Sequence, residues 1–582
     1  MYKRKFKQLT LVDDFYLPFG GKLHAENRWV KLSHKIPWFA AEEIYANNFT
    51  AANGSPALSV RSALGSLIIK ETLNITDKET VSQIQENPYL QYFIGFKEFQ
   101  NDVPFDASLM THFRQRFTSV DLAKVDDYLH QQYRDLLERR EPLVRQQEES
   151  RRSGTSKRPA SGETKGKEPS VEKPLGAEPN KAAPTPQSVL NDAVLDEAPP
   201  EPSISSERPS VEPAPEEPVV HEAAATCSLP MEPPANKGKL ILDATCAPAD
   251  IRYPTDLGLL NDAREKTEQI IDQLYAHAPK AVQKPKTYRQ TARKDFLRVT
   301  KLRVKSAKTL RKALRKQLGY LGRNLKSIDA LAAIVSLTVL DNQLYGKLLI
   351  CSELYRQQLE MYQTKSHIIA DRLVSISQPH VRPIVRGKAS AKVEFGIKLS
   401  LSVVDGWSHV DRMSWNAYNE GGDLIEAVER YRQQYGSYPE SVHADKIYRT
   451  RANRQWCKGH GIRFNGAPLG RPPKDTEVNA ERKRQRRIDE GIRNAVEGKF
   501  GQAKRRFGMN RIMAKLAATS ETVVTLIVLV MNLQQLLEVH ILRVLAGMLS
   551  LVMALHARYS LVKPKNTTGT ISPSLVLTTR RF

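Results

Sequence analysis

Cysteine is scarce in this chain. Its four cysteines, Cys227, Cys246, Cys351 and Cys457, lie far apart in 582 residues. That spacing excludes a disulfide framework and fits a reducing compartment. Cys457 and His460 form a lone Cys-x-x-His without a second half, so a zinc site has no support. No G-x-x-x-x-G-K-[ST] phosphate loop occurs, which leaves ATP chemistry without support. The basic start, Met1-Tyr2-Lys3-Arg4-Lys5-Phe6, has no apolar core behind it and does not read as a secretory signal. Nor does any uncharged apolar run reach the ~20 residues of a bilayer span. The longest, Thr522 to Leu537, has 16 residues and contains Asn532, Gln534 and Gln535. Glu538, His540 and Arg543 separate it from a second apolar run, Val544 to Leu555. The region is expected to form a helix or helix pair buried on a sheet.

Acids are in the minority: 88 Lys and Arg stand against 64 Asp and Glu, a net charge of +24. Such an excess favours a polyanionic partner, nucleic acid first and an anionic membrane surface second. The cations are concentrated. Between Lys284 and Lys326 there are 16 Lys or Arg and one acid, Asp295. On an ordinary solvated helix face the two signs alternate.

Aromatic residues are missing from Arg151 to Asn236, a stretch that holds 16 of the 34 prolines. It cannot bury enough apolar surface to offset chain ordering, so a disordered Pro/Glu-rich linker is expected over 146–237. Before it, residues 1–145 read as a helical unit. One helix is expected from Ser55-Pro56-Ala57, another over Thr80 to Gln85 and a third over Ser108 to Arg116. Short helices with a late basic one suggest a DNA reader, with an ordinary helical bundle as the alternative.

After the linker, strands and helices alternate, which argues an α/β core over 238–520, followed by C-terminal apolar helices and a tail over 521–582. Lys239 to Asp243 reads as a buried strand ending in a carboxylate, and Val442-His443-Ala444-Asp445 as another. Val393 to Asp405 alternates as a strand, turns at Asp405-Gly406 and returns near Val410 to Trp415. Helices are expected over 257–275, 288–374, 423–435, 449–458 and 478–506, with a short strand near Ile462 to Phe464. A strand end is a usual place for a site in such sheets. Phosphodiester chemistry at neutral pH is served by two Mg2+ ions about 4 Å apart, held by hard carboxylate oxygens. Asp243, Asp445 and Glu497 are candidates. Arg493, Glu497 and Lys504 fall on one stripe of a 3.6-residue helix, a carboxylate between two possible phosphate contacts. A solvated face with i,i+4 ion pairs is the alternative. Asp250 and Asp405 are further carboxylates, Asp405 reading better as a turn residue before Gly406. His443, on the same side of its strand as Asp445, reads as a structural histidine.

These residues resemble the DDE transposases of bacterial insertion sequences over nearly the whole chain outside the linker. The blocks Leu242-Asp243-Ala244-Thr245 and Val442 to Thr450 look like the first and second catalytic blocks. Arg493, Glu497 and Lys504 match a signature of Tyr, two residues, Arg, three residues, Glu, six residues, Lys, with Glu490 at the Tyr position. Asn101 to Ser108 resembles part of the N-terminal domain. The resemblance implies a ribonuclease-H-like mixed sheet, preceded by an all-α domain. The 202 positions between Asp243 and Asp445 then call for a helical insertion, placed at about 258–380. It also implies two Mg2+ ions on Asp243, Asp445 and Glu497, for which Mn2+ can substitute. The activity implied is strand cleavage at element ends, then transfer of the 3′ hydroxyl into target DNA. The partners implied are terminal inverted repeats and target DNA, in a homodimer, within the bacterial cytoplasm near the nucleoid. Lys301, Arg303, Lys305 and Lys308 are expected to meet phosphates. A catalytically inactive DNA-binding derivative and a non-transposing nuclease of the same fold are the alternatives.

Overall fold

The computed structural model describes residues 15–17, 20–49, 56–138, 235–385, 393–466 and 476–562. The linker expected over 146–237 lies outside these residues except for its last three.

Among the described residues the first part has seven helices: α1 (Arg28–Lys35), α2 (Trp38–Asn47), α3 (Val60–Leu73), α4 (Asp77–Glu86), α5 (Pro88–Phe93), α6 (Leu109–Arg116) and α7 (Ser119–Glu138). The helix expected from Ser55 begins at Val60 instead. Ser59 is its cap and accepts from the Ser62 amide at 3.1 Å, satisfying one of the first-turn donors.

The second part is a mixed sheet. Its strands are β1 (Lys239–Pro248), β2 (Arg382–Val385), β3 (Val393–Val404), β4 (Trp407–Ser414), β5 (Ser441–Ala444) and β6 (Arg463–Phe464). β3 pairs with β2 and β4 along one edge and with β1 along the other, all antiparallel. β5 runs parallel to β1, and β6 parallel to β5. Asp405 (φ 51°) and Gly406 (φ 87°) join β3 to β4. Two consecutive left-handed residues suit the twist of a tight hairpin. Asp405 is therefore a turn residue, as its neighbour Gly406 suggested.

One strand boundary differs from expectation. Asp243 does not end β1; the strand continues five residues further, to Pro248. What ends near Asp243 is the pairing with β5, whose last register pair is Leu242 with Ala444. On the other side β1 stays paired with β3 as far as Pro248. The carboxylate thus sits where one neighbour stops and the other goes on.

Between β1 and β2 the chain inserts α8 (Asp256–Ala276), α9 (Arg289–Thr300), α10 (Ala307–Ala332) and α11 (Asn342–Thr364). The stretch expected to be helical from 288 to 374 is thus three helices. It breaks at Lys301, and again after Ala332, where Asp341 caps α11 through the Leu344 amide at 2.6 Å. The insertion has apolar clusters of its own, one around Leu260, Leu321 and Leu354 and one around Ile271, Ile328 and Leu348.

The remaining helices are α12 (Asp423–Tyr435), α13 (Arg451–Gly459), α14 (Thr476–Arg506) and α15 (Ala517–Val562). The C-terminal apolar region is one helix rather than a pair. Its segment Ala517–His540 is long and apolar enough to cross a membrane, yet 78% of its most apolar window is buried inside the protein. Val524, Ile527 and Leu536 join one core with Tyr45, Leu64, Phe117 and Leu129 of the first part and with Leu401 and Trp407 of the sheet. The N-terminal helices and the sheet therefore share burial through α15.

A polar node lies inside that core. Asn532 donates to both oxygens of Asp126 (3.0 and 3.1 Å) and to the Ser408 carbonyl (2.8 Å), and accepts from the Ser408 amide (3.0 Å). Trp407 Nε1 donates to Asp126 at 3.2 Å. Four groups from α7, β4 and α15 satisfy one another where no water reaches. Burial pushes the Asp126 carboxyl up to about 7, with the Asn532 and Trp407 hydrogen bonds opposing it.

Asn532→Leu should lower stability by about 2–4 kcal/mol, because it leaves a buried carboxylate and two backbone groups short of partners. A change under about 0.5 kcal/mol by denaturant titration, the range of ordinary surface substitutions, would show that the node does not tie the parts together. The pH dependence follows from the raised pKa. The folded chain holds the Asp126 proton to higher pH than the unfolded chain does. Its contribution is complete below about pH 4 and is lost as pH rises through about 7. Asp126→Asn should therefore gain in melting temperature over wild type between about pH 5 and 8; a constant difference across that range would contradict this.

Candidate active site

β1 and β5 alternate their side chains as strands must. Leu240, Leu242, Val442 and Ala444 point into a core with Leu424, Val428 and Tyr448. Ile241 and Ala247 point the other way, into the core that holds Val496 and Phe500 of α14. Asp243 lies between them in that odd-numbered series. His443 on β5 and Asp445 just past its end continue the same series. In the parallel register Leu242 is level with Ala444, so Asp243 and Asp445 leave the two strands side by side, towards α14.

α14 meets them with a charged stripe. Asp489, Arg493 and Glu497 are four residues apart, which advances about 6 Å along a helix. His443 and Asp445 are two apart, which advances about 6.6 Å along a strand. The two rises nearly match, so contacts repeat. His443 Nδ1 lies 3.7 Å from Asp489, and Arg493 lies 3.7 Å from Asp445 and 2.9 Å from Glu497. Val496, Phe500 and Ala503 bury the adjacent stripe and hold the helix down.

The three carboxylates differ in their surroundings. Burial pushes the Asp243 carboxyl up to about 6. Its hydrogen bond from the Ala244 amide (2.8 Å) and the Arg493 charge pull it back, while Asp445 and Glu420 push it further up. Asp445 is half-exposed and accepts from the Lys446 amide at 2.7 Å, opening a short 3-10 turn. Glu497 is also half-exposed and pairs with Arg493. Among the described residues no three His, Cys, Asp or Glu side chains converge closely enough to hold a metal as they stand. The donor set nevertheless suits a hard cation. Two carboxylates stand side by side, and the more buried one is under-compensated. A third is tied to the same guanidinium and would have to release it.

His443 is fully buried, with Nε2 3.0 Å from Ser441 Oγ. Burial lowers its pKa to about 4, against the pull of Asp489, so it is neutral at pH 7. It packs as a structural residue. Burial works against ionisation of Asp489 too, but Arg463 (two contacts of 3.0 Å) and Gln485 outweigh that and hold its carboxyl below the usual range. Asp250 is occupied elsewhere, by Arg511 at 2.5 Å and Lys515 at 2.5 Å. Lys504 lies two turns beyond Glu497 and is half-buried. Lys301, Arg303, Lys305 and Lys308 are exposed around the turn between α9 and α10, and none has a salt bridge among the described residues.

Two further charged residues, Arg449 and Glu420, border the site. Arg449 donates to the Ala444 carbonyl at 3.2 Å, immediately before Asp445. Burial and the neighbouring Arg454 lower its pKa. Gly466 makes room for it: a Cβ there would run into its guanidinium, and the φ of +103° favours glycine anyway. Glu420, bound to Lys398 at 2.8 Å, adds negative potential at Asp243. Arg449 belongs to the quoted second block, so its position was visible; Glu420 is brought in only by the turn before α12.

Comparison with known proteins gives two family matches. Residues 18–116 match a family described as "Transposase domain (DUF772)" and residues 442–534 match one described as "Transposase DDE domain". The second match contains Asp445, Arg493, Glu497 and Lys504; Asp243 lies outside it. An N-terminal domain of the first kind with a C-terminal DDE domain fits a bacterial insertion-sequence DDE transposase. A curated relative, "Uncharacterized protein ORF8 in nfe locus" of Rhizobium meliloti, is 39% identical over 87 residues, 15% of this chain and 42% of the relative. The chain thus spans less than half of that relative's length. No solved structure matches.

If Arg493 stands where a cation would otherwise bind, Arg493→Met should free Asp445 and Glu497. Both are half-exposed, so the thermal shift without divalent ions should be small, about 1–3 °C downward. Mg2+ should then raise the melting temperature of the variant more than that of wild type. An equal or smaller response to Mg2+ would mean that Arg493 does not compete with the ion.

Proposed function

We propose that this chain is a DDE transposase that cuts DNA at the ends of its element and joins the freed 3′ hydroxyl to target DNA. The juxtaposition that supports the reading most is Asp243 on β1 beside Asp445 just past the end of the parallel strand β5, facing a helix that carries Glu497 and Arg493. We infer a ribonuclease-H-like arrangement for the sheet, as a DDE domain implies. Asp243 and Asp445 would hold Mg2+, with Mn2+ as a substitute, and Glu497 would join them on releasing Arg493. Bound there, two such ions would supply the charge that activates a water or a 3′ hydroxyl at neutral pH and neutralises the leaving oxygen.

The chain's own residues then divide the work. Asp243 is anchored on a strand paired on both sides up to Leu242, so its carboxylate is held rigidly. Arg493, released from Glu497, is within reach of a scissile phosphate, and Arg449 and Lys504 extend the cationic border. Lys301, Arg303, Lys305 and Lys308 supply sequence-independent attraction for the flanking DNA. Two element ends must be joined, which calls for a homodimer. Residues 1–145 are the proposed reader of the terminal inverted repeats.

Asp243→Asn, Asp445→Asn and Glu497→Gln should each abolish Mg2+-dependent cleavage of DNA carrying the sequences that flank the gene, while binding to that DNA persists. Cleavage within about tenfold of wild type would remove that residue from the site. A product nicked but never joined in a strand-transfer assay would identify a nuclease instead.

Changing Lys301, Arg303, Lys305 and Lys308 together to Gln should reduce the slope of log affinity against log salt by up to about 3.6, at roughly 0.9 per phosphate contact. Preference for end over random DNA should change little, because phosphate contacts position without specifying. An unchanged slope would place this stretch away from DNA.

A further inference from the structure

The turn between α9 and α10 exposes apolar side chains that folding ordinarily covers. Val304 is 83% exposed, Leu302 43% and Leu297 38%. They are set among cations: Lys301-Leu302-Arg303-Val304-Lys305 alternates charge with aliphatic carbon, and Lys308 follows in the first turn of α10. Every residue from 301 to 308 is exposed. The nearest acid in sequence, Asp295, is already engaged by Arg298, Lys316 and Tyr320, each at 3.0 Å. The tip is therefore cationic without internal neutralisation.

The hairpin beneath it is braced. Gln317 Nε2 donates to the Ala292 carbonyl at 3.1 Å, tying α10 to α9, and Val299 and Ala313 pack together with Leu257 of α8. Ser306 caps α10 through the Thr309 amide at 3.3 Å, which fixes the direction in which the chain leaves the tip. A short non-helical segment is thus presented at the end of a supported pair of helices.

We propose that this tip is a wedge for double-stranded DNA. Lys301, Arg303, Lys305 and Lys308 straddle the phosphates of both strands, and Leu302 and Val304 enter the minor groove and part a base step, bending the duplex. Proteins that insert aliphatic side chains in this way spend a few kcal/mol on unstacking and recover it from the closer contacts a bent duplex permits. Charge complementarity selects the occupant: a single-sign tip relieves its own repulsion by releasing counterions from phosphates. Two or three aliphatic side chains are too small an apolar face to anchor a membrane, which takes the whole face of an amphipathic helix. The proposal rests on the reading of this chain as a DNA-acting protein and adds a deformation step to it.

The test uses the full chain and a duplex of about 30 base pairs with a central TA step, the flexible kind, carrying a donor dye on one end and an acceptor on the other. At saturating wild-type protein, energy transfer should rise as the ends approach. In Leu302→Ser/Val304→Ser that rise should fall at least about threefold, while the salt slope, set by phosphate contacts, stays within about one unit of wild type. Both side chains are exposed, so the variant should melt with the wild type; if it does not, Val304→Ser alone carries the same expectation. A double variant that bends the duplex as wild type does overturns the wedge. So does wild-type protein that binds the duplex without any change in transfer, and the DNA reading then stands. Failure of wild type to bind any duplex overturns the DNA reading itself. Tighter wild-type binding to vesicles of anionic phospholipid than to the duplex, lost in the double variant, overturns the wedge in favour of a membrane contact.

Discussion

The site depends on a match between two periodicities. Two residues of strand and four residues of helix advance by nearly the same length. α14 can therefore follow β5 with one contact per step: Asp489 at His443, then Arg493 at Asp445. Glu497 is the next step beyond the end of the strand. The carboxylate comes to the site because the strand has stopped and the helix has not. Shifting α14 by one residue would rotate the stripe by about 100° and take Arg493 and Glu497 away from the strand ends.

The match needs a surface to hold it, and the adjacent stripe of α14 supplies one. Val496, Phe500 and Ala503 are buried in the same core as Ile241, Leu401 and Trp407. That core continues through α15 to the N-terminal helices, where the Asp126–Asn532 node fixes three elements in one geometry. A buried carboxylate is a costly way to join helices. It gains specificity, because only one arrangement of α7, β4 and α15 satisfies all of its partners. The position of α14 thus depends on a core shared with residues as far upstream as Asp126.

Much of the organisation was legible in the sequence. Alternation over Val393 to Asp405 predicted β3, and Asp405-Gly406 predicted the hairpin that both left-handed φ values confirm. The span of α12 was readable from its apolar spacing and the glycine that follows. The basic insertion was legible as charge density. Asp445 could be placed because a short apolar strand ends at it. Asp243 was harder. It lies in the middle of a strand whose pairing changes on one side only, and a change of partner leaves no mark in composition. The break at Lys301 was also hidden, because the residues around it carry no proline or glycine.

The sequence by itself determined where strands and helices alternate and where the cations gather, and it offered Asp243, Asp445 and Glu497 as candidates for a hard metal. These follow from side-chain period and charge, which are properties of neighbours in sequence. Only the tertiary structure decided that Asp243 and Asp445 stand side by side, that Arg493 rather than a neighbouring cation holds Glu497, and that Glu420 and Arg449 border them. It also decided that the segment Ala517–His540 joins the N-terminal helices and the sheet in one core. Each of these depends on strand register and on which helix covers which face. Such choices are set by burial summed over residues hundreds of positions apart, and no window of the sequence contains that sum.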